Sequence, residues 1–123
     1  MRQVLHLKLR EIQAILGAEL LCGEDRLDDE VSCAFGSDLM SDALAYTDQD
    51  TLLLTGLCNT QVIRTAEMLD ISHIVFVRGK CPNDEMLQMA RDGGICVLAT
   101  RNTMFTTCGL LYTAGMQGSV LHG

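Results

Sequence analysis

Between residues 50 and 100, three short apolar runs alternate with two segments that are apolar along one side only. The runs are Thr51-Leu52-Leu53-Leu54-Thr55, His73-Ile74-Val75-Phe76-Val77 and Ile95-Cys96-Val97-Leu98-Ala99. They are apolar without clean alternation and partly β-branched, which is the pattern of strands buried on both faces of a parallel sheet. The segments between them carry Val62, Ile63, Ala66 and Leu69, then Met86, Leu87 and Ala90, at helical spacing. Strand, helix, strand, helix, strand implies right-handed crossovers. The expected fold is a Rossmann-like α/β/α sandwich whose mainly parallel central sheet is built on residues 52–54, 74–77 and 96–98.

The flanks extend the pattern. Residues 8–16 read as a helix with Leu9, Ile12, Ile15 and Leu16 on one face and Gly17 as its stop. Residues 18–22 and 31–35 read as strands, joined by the polar connection 23–30. Gly36-Ser37-Asp38 turns into a helix through Tyr46, with Ser37 or Asp38 as N-cap. A last helix begins at Thr103, and its stripe Met104, Phe105, Cys108, Leu111 and Tyr112 must cover the sheet or a partner. Residues 1–123 are expected to form one domain, with 1–6 a lead-in (an extra strand or loose chain) and 117–123 a loose tail.

Composition narrows the partners. The chain is 48% apolar but has only five Phe and Tyr and no Trp, so its core is aliphatic and Met-rich. A net charge of −7 argues against nucleic acid and anionic membrane. With no export signal and no apolar run near ~18 residues, a cytoplasmic location is expected. The six cysteines are scattered without a CxxC, which points to free thiols in a reducing compartment.

Most familiar chemistry is missing. The acidic run 24–30 lacks the glycine and alternate-residue ligand spacing of an EF-hand loop and reads as a solvated connection. No glycine-rich phosphate loop of either common type is present. His6, His73 and His122 lie far apart, and His73 at a strand start reads as structural. One constellation is left, and it is geometric. In an open parallel sheet, ligands bind beyond the carboxyl ends of the strands, near helix N-termini. Those ends gather Asn59, Thr60, Arg78, Lys80, Arg101, Asn102 and Thr103, so three of the nine basic residues of an acidic chain share one edge. A small anion, such as a nucleotide or phosphate, would suit it, with Asp38 and Ser37 as polar partners. The competing reading is that Asn59, Asn83 and Asn102 are helix caps and the cations ordinary loop residues. Cys58 and Cys81 precede helix starts on the same edge, where the helix dipole would lower a thiol pKa, and a redox pair or a share in a metal site is the minor reading for them.

The chain resembles the DRTGG domain family from Leu7 to Ala114, as a stand-alone copy. The resemblance rests on Leu9-Arg10-Glu11-Ile12 with the following Gly-Ala-Glu-Leu-Leu, on Leu27-Asp28-Asp29-Glu30-Val31 and on Gly36-Ser37-Asp38-Leu39-Met40-Ser41-Asp42. It continues in Val75-Phe76-Val77-Arg78-Gly79-Lys80-Cys81-Pro82 and in Gly94-Ile95-Cys96-Val97-Leu98-Ala99-Thr100. The naming letters do not occur as a run, and Asp92-Gly93-Gly94 only echoes them. Such domains are similar to the N-terminal domain of HPr kinase/phosphorylase and accompany CBS domains in some pyrophosphatases. The resemblance therefore implies a regulatory or dimerisation module rather than a catalyst. The expected function is a non-catalytic regulatory and assembly module without a cofactor or metal, acting through protein contacts. The alternative is a nucleotide- or phosphate-binding sensor or small enzyme using Arg78, Lys80 and Arg101. A symmetric homodimer is expected, with Met40, Leu44, Met89 and Leu110 at the margins of the core faces.

Overall fold

A computed structural model describes residues 6–47 and 51–118. Expectations placed on residues 1–5, 48–50 and 119–123, His122 among them, lie outside the described residues. Strand β1 (Leu7–Lys8) leads into helix α1 (Leu9–Leu16), and β2 (Glu19–Cys22) follows. A 3-10 turn (Glu24–Arg26) leads to β3 (Glu30–Val31) and β4 (Cys33–Gly36). Helix α2 (Met40–Tyr46), β5 (Thr51–Thr55), α3 (Thr60–Met68), β6 (His73–Phe76), α4 (Asp84–Asp92) and β7 (Cys96–Ala99) then alternate. Helix α5 (Met104–Thr113) and β8 (Gln117–Gly118) complete the described chain.

The main sheet has six strands in the order β2-β7-β6-β5-β4-β8, and β1 and β3 form a separate antiparallel pair. All neighbours in the main sheet run parallel except β2, which lies antiparallel to β7 with a bulge between Leu20 and Cys22. The Rossmann-like sandwich expected from the apolar runs is what forms. Alternate residues of each strand enter opposite cores. Leu53, Ile74, Phe76 and Val97 meet Met40, Val62, Ile63, Ala66, Met86 and Ala90 of α2, α3 and α4. Leu52, Leu54, Val75, Val77 and Leu98 meet Leu9, Ile12, Leu16 and Leu111 of α1 and α5. Burial on both faces is why these strands show no polar alternation.

Caps and helix phase correct several expectations. Gly17 ends α1 in the left-handed conformation, as read from the sequence. Neither Ser37 nor Asp38 caps α2: Leu39 holds that position, and the Ser37 hydroxyl accepts from the Leu39 amide at 3.0 Å. On α5 the buried face is Thr107 and Leu111, with Met104 and Cys108 packed beside them. Phe105 and Tyr112 lie one helical step round and stand 88% and 59% exposed. Met40 is only 3% exposed and Met89 packs against the core, so neither forms an outer margin, whereas Leu44 and Leu110 are 46% and 37% exposed. Gln117 and Gly118, expected in a loose tail, pair with Cys33 and Ala34. Among the described residues no helix is long and apolar enough to cross a membrane.

At the amino-terminal edge of the parallel strands the polar connection acquires a structural role. Asp29 accepts from buried His73 Nε2 at 2.9 Å and from Arg26 Nη1 at 3.0 Å, and Arg26 also reaches the Gly94 carbonyl. An ionised Asp29 requires the proton on Nε2, which leaves His73 Nδ1 as a buried acceptor without a partner. Burial pushes the His73 pKa below its ordinary value, and Asp29 only partly offsets it. Burial also pushes the Asp29 carboxyl up, but the hydrogen bonds and charges of His73 and Arg26 outweigh it, leaving a net lowering. In the unfolded chain His73 takes its proton near pH ~6.5, before the folded protein does. Stability is therefore expected to fall as pH drops below about 6.5, with the Asp29 contribution lost at lower pH still. Melting temperatures recorded from about pH 7.5 to about pH 5 should decline in the wild type, and His73→Gln should flatten the upper part of that decline. Equal slopes in both proteins would refute the assignment.

Candidate functional site

The carboxyl ends of β4, β5, β6 and β7 lie side by side, because the strands are parallel neighbours. The loops that leave them carry the residues singled out from the sequence, and the structure sorts these into two groups.

The first group is a clasp. The Asp38 carboxylate, from the loop after β4, accepts the Gly56 amide at 2.6 Å and the Thr55 hydroxyl at 3.5 Å. Its other oxygen pairs with Arg78 Nη1 at 3.0 Å, and Arg78 Nη2 donates to the Gly56 carbonyl at 3.2 Å. Three successive loops are thereby tied together. Arg78 holds a left-handed backbone, φ +62°, while its amide donates to the Asn102 carbonyl at 2.8 Å. The guanidinium is thus committed to Asp38 and Gly56 instead of standing as open charge. Sequence reading missed this because Asp38 and Arg78 meet only through the strand order. Both side chains stay nearly half exposed, so the pair fixes loop geometry more than it adds stability.

The second group is a cleft of about 310 Å³ lined by Gly17, Glu19, Gly79, Lys80, Cys81, Ala99, Thr100 and Arg101. Lys80 and Arg101, from the loops after β6 and β7, therefore face one space. Glu19 enters because β2 pairs antiparallel with β7, placing Glu19 opposite Ala99. The wall is braced by Leu16, whose carbonyl accepts from the Thr100 hydroxyl at 3.0 Å and from Asn102 Nδ2 at 3.1 Å. Asn102 is thus a brace for α1 rather than a cap for α5. The α5 cap is Thr103, whose hydroxyl accepts the Thr106 amide at 3.4 Å. Asn83 caps α4 through the Met86 amide at 2.9 Å, while Asn59, at the N-cap of α3, makes no side-chain cap bond. Asn59, Thr60, Arg78, Asp38 and Thr103 are not among the residues lining the cleft.

Cys58 corrects another expectation. Burial pushes its thiol up, the Cys81 thiolate adds to this, and the nearby Lys80 ammonium lowers it only partly. Desolvation outweighs the helix dipole there. Among the described residues no group of three or more His, Cys, Asp or Glu converges as a metal site.

Comparison with known proteins places the fold. The family model described as the DRTGG domain matches residues 11–114. No curated protein matches the chain. A solved structure of the CBS and DRTGG domains of the regulatory region of Clostridium perfringens pyrophosphatase, complexed with activator, diadenosine tetraphosphate, is similar in fold. The TM-score is 0.71 at 20% sequence identity, over 85% of this chain and 45% of that one. This chain thus spans less than half the length of that structure.

Proposed function

Since the chain belongs to the DRTGG domain family, we propose that it is a regulatory and assembly module that takes a small phosphate-bearing anion, a nucleotide first among them, into the cleft between Lys80 and Arg101. The observation that carries the reading is the convergence of those two cations on one cavity at the carboxyl edge of the sheet, in a chain of net charge −7. Two cations in a partly enclosed space hold a polyanion better than exposed single charges do. Glu19 narrows the choice, since its carboxylate repels bare phosphate and accepts from a hydroxyl or amine. The similar pyrophosphatase region, solved with a nucleotide activator, supports the same class of ligand. Lys80 and Arg101 bind; no residue of the cleft is assigned a catalytic step.

A thermal-shift panel of mono-, di- and dinucleoside polyphosphates tests this. A ligand at roughly a hundredfold excess over its Kd adds about 2.7 kcal/mol of stability. At least one nucleotide is expected to raise the melting temperature, and Arg101→Ala or Lys80→Ala should remove the shift while leaving the unliganded stability within about 1 kcal/mol of wild type. No shift across the panel, or an undiminished shift in both variants, would end the proposal.

The assembly half of the reading rests on α5. Its ten residues carry no charge, and Phe105, Leu110 and Tyr112 face outward. An uncharged helix that turns two aromatic rings outward is normally covered. We place the two-fold contact of a homodimer on this face, moved from the margins read in the sequence. In sedimentation at micromolar concentration the wild type should run as a dimer, and Phe105→Glu should run as a monomer of 13.5 kDa. A wild type at monomer mass would refute the pairing.

A further inference from the structure

Two thiols on adjoining loops remain unused by the anion reading. No disulfide joins any of the six cysteines, and Cys81 is exposed while Cys58 is half-buried. Cys58 lies in the loop after β5 and Cys81 in the loop after β6, and these strands are parallel neighbours with Thr55 opposite Phe76. Neighbouring strands run about 4.8 Å apart. The loops stay together beyond the strand ends, because the Val77 amide donates to the Thr55 carbonyl at 2.9 Å and Arg78 Nη2 to the Gly56 carbonyl at 3.2 Å. The influence of the Cys81 charge on the Cys58 thiol places the two groups within electrostatic reach. Cys22 and Cys96 also stand within electrostatic reach of each other, but both are buried away from a soluble oxidant. They belong to cores on opposite faces of the sheet, Cys33 lies on β4, and Cys108 lies on α5 against Gly36.

We propose that Cys58 and Cys81 form a reversible intramolecular disulfide, a redox-controlled link between the loops after β5 and β6. The oxidant is a peroxide. The Cys81 thiolate attacks one peroxide oxygen, the O–O bond breaks, and the departing hydroxide takes a proton to become water. Cys81 is left as a sulfenic acid. Cys58 then attacks that sulfur as its thiol proton leaves, the S–S bond forms, the S–O bond breaks, and a second water departs. Two electrons and two thiol hydrogens pass to the peroxide, and a dithiol reductant returns both through a mixed disulfide. Exposed Cys81 is the attacking residue and half-buried Cys58 the resolving one. Because Cys81 also lines the cleft beside Lys80, the link draws part of that wall toward α3.

Mass spectrometry of the folded chain tests this without reference to any anion. The reduced protein is treated with stoichiometric hydrogen peroxide, quenched by alkylation and digested. Before alkylation the expected product is an intact chain lighter by two hydrogens, and the digest should hold one peptide pair joining Cys58 to Cys81 that reverts under dithiothreitol. The linked form should melt at a higher temperature than the reduced form. Cys81→Ser and Cys58→Ser should each lose the linked pair, and the exposed Cys81→Ser variant should keep the wild-type melting temperature when reduced. Oxygen addition to Cys81 without the linked pair, or links that join separate chains, would overturn the proposal.

Discussion

Gly23→Ala is expected to cost about 3–5 kcal/mol of stability, a large share of the roughly 5–15 kcal/mol that holds a folded domain together. Gly23 has φ +85°, and a Cβ there would lie 2.5 Å from Cys96 Cα and 2.9 Å from its Cβ. Those atoms belong to β7, which is bonded to a strand on each side and cannot recede. Left-handed strain alone costs about 1–2 kcal/mol, and overpacking against fixed backbone adds about 1–3 kcal/mol or more. Gly79→Ala isolates the first contribution, because φ is +71° there but nothing lies within 4 Å of the new Cβ. Thermal unfolding of both variants separates the causes. The Gly23 variant should melt well below the Gly79 variant, and equal losses would show that contact with Cys96 contributes nothing.

Phe76→Ala should be similarly damaging, by about 3–5 kcal/mol. Phe76 is fully buried, the largest side chain so placed, on a strand flanked by β5 and β7. It packs within the core that α3 and α4 share, where Ala66 and Ala90 bring the helix backbones close. Those helices are also held by Val62, Ile63 and Met86, so they cannot collapse into the space left by the ring. Phe76→Leu keeps most of the volume and should cost less than about 1.5 kcal/mol. Urea unfolding of both measures the difference. A tolerated alanine would mean that the core repacks freely, contrary to its close packing.

The central strands were legible because burial on both faces leaves an unbroken apolar signature in Leu52–Leu54, Ile74–Val77 and Cys96–Leu98. The two-residue strands β1, β3 and β8 were not, since so short a segment has no period to read. The final helix was recognised but turned about its axis. Its sequence carries no charge on any side, so Phe105 and Thr107 could not be told apart until the sheet was in place. Lys80 and Arg101 could be assigned to one edge by strand direction alone. Glu19 could not, because it arrives through an antiparallel pairing with Ala99 that no local pattern encodes. Likewise, nothing near Arg78 in the chain announces that Asp38 will occupy its guanidinium.

That antiparallel edge strand also governs when the cleft can exist. Its walls come from Gly17 and Glu19 at one end of the chain and from Ala99, Thr100 and Arg101 at the other. A growing chain on the ribosome carries the first wall long before the second is made. Until then β2 has no strand to pair with, and the carbonyl of Leu16 lacks both of its donors, Thr100 and Asn102. The loop closed by the Glu19–Ala99 pairing takes in most of the domain, and its entropy cost falls due in a single late step. A nascent chain that has completed α3 and α4 therefore has no cleft to offer a ligand.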